Sequence, residues 1–235
     1  MISICTTFFN RQELWERTIL SIRKSAFKDY EIIMVDDASP VPAKCNEAKI
    51  IRIEQKDKWW HNPCIPFNMA FKEAKGDVVI IQNPECIHME DVLSYVHENI
   101  RDGLYLSFGC YAINEEETNK LRSGVYPNIY DKAFGLNTRN GWYNHATFRP
   151  VGYHFCTAIT KSDLDKVGGF DERYAHGISY DDDDLVYRIN DKNIEIKIVN
   201  HPFVIHQYHA PFTYMREGWQ KLHTINKNLF KSLWL

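Results

Sequence analysis

Apolar residues along the chain fall in short runs with polar breaks, and the period inside the runs alternates between strand and helix. Ile2-Ser3-Ile4-Cys5-Thr6 alternates and opens with β-branched residues, which predicts a first strand. Asn10 predicts a helix start, with Glu13 three residues on as a capping-box partner; Leu14, Ile19 and Ile22 would form its buried stripe, and it would end near Ser25. Residues 30–35 and 78–81 are largely apolar, as strands buried on both faces are, and 50–53 predicts a strand between them. The first of these stops at Asp36-Asp37-Ala38-Ser39-Pro40, a turn sequence, and the last at Asn83-Pro84-Glu85. A helix is expected over 67–74, closed by Lys75-Gly76. This β-α-β alternation over roughly the first 100 residues implies a parallel sheet with helices on both faces.

The remainder is less regular. Strands are expected over 104–111, 154–160 and 194–199, with 203–206 continuing near the last, and a short helix over 161–167. Residues 114–145 read as loop with a short helix, and 214–235 as a terminal helix carrying aromatics at 214, 219, 230 and 234. One stretch stands apart. Gly168-Gly169-Phe170-Asp171-Glu172 is followed by Asp181-Asp182-Asp183-Asp184, and then by Leu185, Val186 and Ile189 at helical spacing. Adjacent carboxylates repel, and crowding raises the pKa of at least one of them. The flanks put the run at a helix start.

In parallel sheets of this kind ligands bind beyond the carboxyl ends of the strands. Three polar clusters fall there: Thr7 to Arg11, Asp36-Asp37, and Asn83-Pro84-Glu85. The chain's 235 residues suffice for a substantial core. A net charge of -3 argues against a nucleic-acid partner bound through bulk charge. Aromatics make up 14%, and several adjoin polar groups, as in Trp59-Trp60-His61-Asn62 and Trp142-Tyr143-Asn144-His145. Rings flanked by hydrogen-bonding groups suit sugars, which stack C–H faces and need partners for hydroxyls. Trp59, Trp60, Trp142, His145 and His154 are the candidate sugar contacts, with Tyr143 beside them. The six cysteines are scattered with no Cys-x-x-Cys pair, residues 1–10 have no secretory pattern, and no apolar run nears the ~20 residues of a membrane span. Together these predict reduced thiols and a cytoplasmic location.

Residues 2–11 and 30–39, Asn68 with Ala74-Lys75-Gly76-Asp77, and Gly168–Glu172 with Asp181-Asp182-x-Asp184-Leu185 stand in register with four motifs of one family. In these segments the chain resembles the family 2 glycosyltransferases, over residues 2 to about 209. The resemblance implies an α/β architecture, the GT-A fold: a single Rossmann-like nucleotide-binding half with a mixed central sheet, and an acceptor-binding half. One domain over 1–235 is expected, divided into a nucleotide-sugar half (1–103), an acceptor and catalytic half (104–211) and a C-terminal helix (212–235). It implies inverting transfer of a sugar from a nucleotide donor to a glycan hydroxyl, in polysaccharide or glycan synthesis. Thr7, Phe9 and Arg11 would line the nucleotide pocket. Asp36 or Asp37, with Asp37 preferred, would accept from the base; a carboxylate facing N3–H of uracil favours UDP.

Asn83-Pro84-Glu85 stands where the family carries Asp-x-Asp around Mn²⁺ or Mg²⁺. Glu85 keeps the anionic oxygen for a metal, Asn83 would reach the ribose or a phosphate-bound water, and His206, with His209 as alternate, would complete the ligands. In the acidic run Asp182 would be the general base, Asp181 and Asp183 would hold acceptor hydroxyls, and Asp184 would orient the helix. Asn68 joins the acceptor or sugar side. The competing reading is a catalytically silent GT-A domain that binds a glycan or nucleotide sugar. Trp219, Leu222, Leu229, Phe230, Leu233 and Trp234 with Lys221, Lys227 and Lys231 suit packing on the domain or on a second subunit, or peripheral contact with a membrane.

Overall fold

A computed structural model describes residues 1–123, 128–135, 139–210 and 218–235. Its strands are β1 (Ile2–Phe8), β2 (Tyr30–Asp36), β3 (Ala48–Arg52), β4 (Val78–Gln82), β5 (Cys86–His88), β6 (Leu104–Ala112), β7 (Trp142–Asn144), β8 (Cys156–Thr160) and β9 (Glu195–His206). The helices are α1 (Gln12–Arg23), α2 (Cys64–Glu73), α3 (Val92–Asn99), α4 (Glu115–Arg122), α5 (Ile129–Gly135), α6 (Lys161–Val167), α7 (Asp181–Asp191) and α8 (Trp219–Trp234).

The strands form one mixed sheet in the order β3-β2-β1-β4-β8-β6-β9-β5, with β7 paired to β6. β3, β2, β1 and β4 run parallel, as the β-α-β spacing predicts. β8 joins antiparallel to β4, and β6 antiparallel to β8, which turns the sheet mixed at its middle. Alternate residues divide between two cores. Ile33, Val35, Val79 and Ile81 pack with α2 and α7 on one face, and Ile2, Ile4, Ile32 and Ile80 pack with α1 and α3 on the other. Both faces are covered, so the strands carry few polar positions. A smaller cluster joins Tyr111, Trp142 and Phe203 beyond β6 and β9.

Several elements differ from expectation. α1 has Arg11, not Asn10, at its cap, with no side-chain capping bond. Asn10 has a left-handed φ of 50°, and its N–H donates to Ser39 Oγ at 2.9 Å. Glu13 instead pairs with Arg122 at 2.5 Å. α2 begins earlier, where Asn62 Oδ1 accepts from Cys64 N at 2.9 Å. The stretch expected as loop holds α4, α5 and β7; α4 is set by a reciprocal capping box between Asn114 and Glu117. α3 and β5 carried no expectation. β9 is one strand where two were expected: pairing with β6 steps from Val199 to Phe203, so Asn200, His201 and Pro202 bulge out. Of the expected terminal helix, 218–235 are described, and 214–217 lie outside the described residues. No helix among the described residues is long and apolar enough to cross a membrane.

Candidate functional site

A cleft of about 1080 Å³ opens over the carboxyl ends of β1, β2 and β4. At one end lie Thr7, Phe9, Arg11, Asp37, Lys58, Asn83 and Glu85; at the other lie His154, Ser179, Asp181 and Asp182. Residues from both halves of the sequence therefore meet in one space.

The paired aspartates of β2 separate cleanly. Asp36 is fully buried and not on the cleft wall. Its carboxylate accepts from Ser39 N (3.1 Å), Ala43 N (2.8 Å) and Arg52 Nη1 (2.7 Å), so it fixes the turn after β2. Asp37 lines the cleft, held by Lys58 Nζ (2.6 Å) and Trp60 Nε1 (2.8 Å). Lys58 also lies 5.2 Å from the centroid of the Phe9 ring.

Glu85, at the end of the Asn83-Pro84-Glu85 turn, is 2% exposed. One oxygen takes Arg11 Nη1 at 2.6 Å; the other faces His206 Nε2 at 3.1 Å and His209 Nε2 at 3.5 Å. Burial alone would raise this carboxyl, but Arg11 and the two histidines outweigh burial and hold it well below the usual carboxylate range. The ligand atoms of Glu85, His206 and His209 lie within 4.8 Å of one another. One anionic oxygen with two imidazole nitrogens is a donor set that fits a divalent cation.

At the other end, Ser179 and Tyr180 both hold left-handed backbone (φ 63° and 65°) just before α7. Two strained non-glycine residues in succession concentrate cost at this turn, which the surrounding structure must offset. Asn226 of α8 bonds Ser179 O (2.9 Å) and Tyr174 O (3.0 Å), and Asn68 clasps the preceding Gly-Gly-Phe turn by bonds to Phe170 N and O, both 2.8 Å. Gly169 is required there: a Cβ would come within 2.6 Å of Asn68 Oδ1, and its φ is +69°.

The four aspartates then diverge with the helical turn. Asp182 faces the cleft with its side chain 31% exposed. Its Oδ1 accepts from His154 N at 3.1 Å and lies in close contact with His154 Nδ1. The His154 ring is wedged edge-on between Phe67 and Phe170. Burial works against the charged imidazole, but the Asp182 and Asp181 carboxylates prevail and raise its pKa. Asp181 is buried on the cleft floor and accepts from Asn62 Nδ2 at 2.7 Å. Burial and the neighbouring Asp182 charge push its carboxyl up to about 6. Asp183 points away from the cleft lining and accepts from Tyr153 OH at 2.6 Å. Asp184 is buried against Arg188 Nε (2.7 Å) and Trp234 Nε1 (2.9 Å), tying α7 to α8.

Most of the expected sugar contacts lie elsewhere. Trp60, Trp142 and His145 are buried; Trp142 packs on Tyr111 and Phe134, and His145 stacks on Phe148 and accepts from Thr147 N. Trp59 is exposed, edge-on to Trp60, and off the cleft wall. Asn68 is engaged in its clasp, and only His154 of this group lines the cleft. His206 reaches the site through Glu85. Lys58, Asn62 and the α4 residues Glu115, Asn119 and Arg122 had not been anticipated. The Asn114-x-x-Glu117 capping pattern was a readable signal for α4; nothing local marks Lys58 or Asn62.

Comparison with known proteins gives the family and the fold. The profile described as Glycosyl transferase family 2 matches residues 3–168, and one described as the N-terminal domain of galactosyltransferase matches 152–210. A Campylobacter jejuni GalNAc(5)-diNAcBac-PP-undecaprenol beta-1,3-glucosyltransferase is 28% identical over 130 residues, which is 52% of this chain and 42% of that protein. Among solved structures, S. aureus TarS superposes with a TM-score of 0.60 at 14% identity, covering 88% of this chain and 36% of TarS. TarS 1-349 in complex with UDP-GlcNAc gives 0.58 at 15% identity, covering 88% and 58%. The chain thus spans less than two thirds of each of these relatives, and the shared architecture is the GT-A fold. With most of its length matched by the family profile, the chain belongs to glycosyl transferase family 2.

Proposed function

We propose that the protein transfers a hexosyl or N-acetylhexosaminyl group from a UDP-sugar to a glycan hydroxyl, with inversion at the anomeric carbon and Asp182 as general base. The observation that carries this is a single cleft with a part-exposed Asp182 at one end and Arg11, Asp37 and Glu85 at the other. No described protein group bonds Asp182 Oδ2, while Oδ1 is engaged by His154. Oδ2 takes the proton of the acceptor hydroxyl as that oxygen attacks opposite the departing diphosphate. His154 holds the base in place, and Asn62 holds Asp181 beneath it. Asp37, braced by Lys58 and Trp60, accepts from the nucleotide base. A divalent cation held by Glu85, His206 and His209 would offset charge on the leaving diphosphate.

The reported TarS complexes with UDP and UDP-GlcNAc support a UDP-linked donor, and the undecaprenol-linked substrate in the Campylobacter enzyme's name supports a glycan acceptor. Residues 1–103 serve mainly the donor, joined by His206 and His209, and 104–211 mainly the acceptor and the chemistry, joined by Asn62. α8 braces the acid turn and α7 through Asn226 and Trp234. The test is hydrolysis of a panel of nucleotide sugars with and without Mn²⁺. UDP release from one UDP-sugar, stimulated by Mn²⁺, is expected. A protein that binds a nucleotide sugar but never turns it over, even with glycan acceptors present, is a silent binder and rejects the proposal.

A further inference from the structure

Arg11 sits where it must choose between partners. Its Nη1 holds Glu85 Oε2 at 2.6 Å and its Nη2 lies 3.3 Å from His209 Nδ1, so one guanidinium spans two of the three cation-ligating side chains. Glu85 is 3% exposed at its side chain, whereas Arg11 is 25% exposed and lines the cleft. In this arrangement the buried carboxylate is already neutralised. A divalent cation entering alone would add two positive charges beside Arg11, and like charges at this range in a poorly hydrated site repel strongly. A nucleoside diphosphate entering alone would draw Arg11 away and strand Glu85 as a buried, under-paired anion, which is costly. Entering together they balance: the cation replaces Arg11 on Glu85, and Arg11 pairs with a phosphate through its planar fork.

We infer that Arg11 is the resident counterion of Glu85 before the donor arrives, and that it passes to the donor's diphosphate as a divalent cation takes its place, so that cation and nucleotide bind cooperatively. This rests on the nucleotide-sugar reading above. It assigns Arg11 the role of a positioning residue that couples two ligands, in addition to lining the nucleotide pocket.

The test uses Mn²⁺ and UDP as probes and needs neither the sugar nor the acceptor. Free Mn²⁺ is followed by electron paramagnetic resonance and UDP by calorimetry, on wild type, Arg11→Met, Arg11→Lys and Glu85→Gln, each checked by circular dichroism for a wild-type fold. In the wild type, UDP is expected to tighten Mn²⁺ at least about tenfold, with Mn²⁺ tightening UDP by the same factor. Arg11→Met should bind Mn²⁺ alone more tightly than wild type and show coupling near one. Arg11→Lys, which keeps the charge, should retain weak binding of Mn²⁺ alone, and Glu85→Gln should lose Mn²⁺. Wild-type coupling in Arg11→Met overturns the inference and leaves the cation site standing. UDP binding with no Mn²⁺ in any variant overturns both the inference and the cation site but not the donor reading. Failure of every variant and the wild type to bind UDP overturns the donor reading itself.

Discussion

The two ends of the cleft treat buried carboxylates in opposite ways. Glu85 and Asp181 are both removed from water, and burial by itself raises the pKa of each. Around Glu85, Arg11, His206 and His209 converge and hold the acid ionised. Around Asp181, burial and then the Asp182 carboxylate act in the same direction, and His154 with Asn62 offsets only part of the effect, so the acid is pushed up to about 6. The same residue chemistry therefore gives a neutralised ion cluster at one end and an excess of negative charge at the other. The first suits a place where a cation and a diphosphate exchange partners; the second suits a place where a proton is to be received. The comparison also explains why His154 is better understood as a holder of Asp182 than as a sugar contact. Its ring is fixed between two phenylalanines and its charge is drawn to the aspartates.

The largest expected effect falls on Asp182, the proposed base. Asp182→Asn should lower kcat for transfer by about 10²–10⁴, the range for loss of a general base, with thermal stability nearly unchanged because the side chain is part-exposed. Asp183→Asn, directed at Tyr153, should keep most of the activity; equal losses in the two variants would break the assignment. Next comes the aspartate pair of β2. Asp36→Ala strips a buried carboxylate from Arg52 and two backbone donors, and should destabilise the fold by about 3–5 kcal/mol in urea titrations. Asp37→Ala should instead weaken UDP binding, measured by calorimetry, with a smaller loss of stability than Asp36→Ala from leaving Lys58 and Trp60 Nε1 unpaired.

At the proposed cation site, Glu85→Gln should weaken Mn²⁺ by more than about 100-fold, beyond the 10–100-fold typical of losing a residue that only supports a ligand, and abolish Mn²⁺ stimulation of turnover. Equal Mn²⁺ response in the variant would remove Glu85 from the site. The last effect tests the raised acid. A carboxyl whose folded pKa lies above its unfolded value favours folding most at low pH, and that contribution is lost as pH rises from ~3.9 through about 6. Asp181→Asn, which keeps an oxygen for Asn62, should therefore gain stability relative to wild type well above pH 6, by up to about 3 kcal/mol, and gain almost nothing near pH 4. A difference independent of pH would show that Asp181 is not perturbed.

Much of this arrangement was legible in the chain. The parallel strands announced themselves through apolar runs ending in polar clusters, and the Gly-Gly turn with the aspartate run located the start of α7. What the sequence left open was set by distant contacts. Asp36 and Asp37 are neighbours in the chain, and only the partners brought by Arg52, Lys58 and Trp60 distinguish the structural acid from the cleft-facing one. The aromatics misled for a related reason. Trp142 adjoins polar residues, yet β7 pairs Trp142 with Tyr111 and turns the indole into a satellite core. Asn68, read as a ligand contact, serves the fold by holding the turn that Gly169 makes possible. Lys58 and Asn62 lie in a segment without periodicity, and their roles depend on partners 21 and 119 residues away.

The most direct test of the account is the anomeric configuration of the sugar first released from an α-linked UDP-sugar, followed by ¹H NMR before mutarotation sets in. Inverting chemistry driven by Asp182 predicts that the β-anomer appears first in the wild type and that Asp182→Asn releases almost none. Early α-anomer, or an undiminished rate in Asp182→Asn, would contradict it.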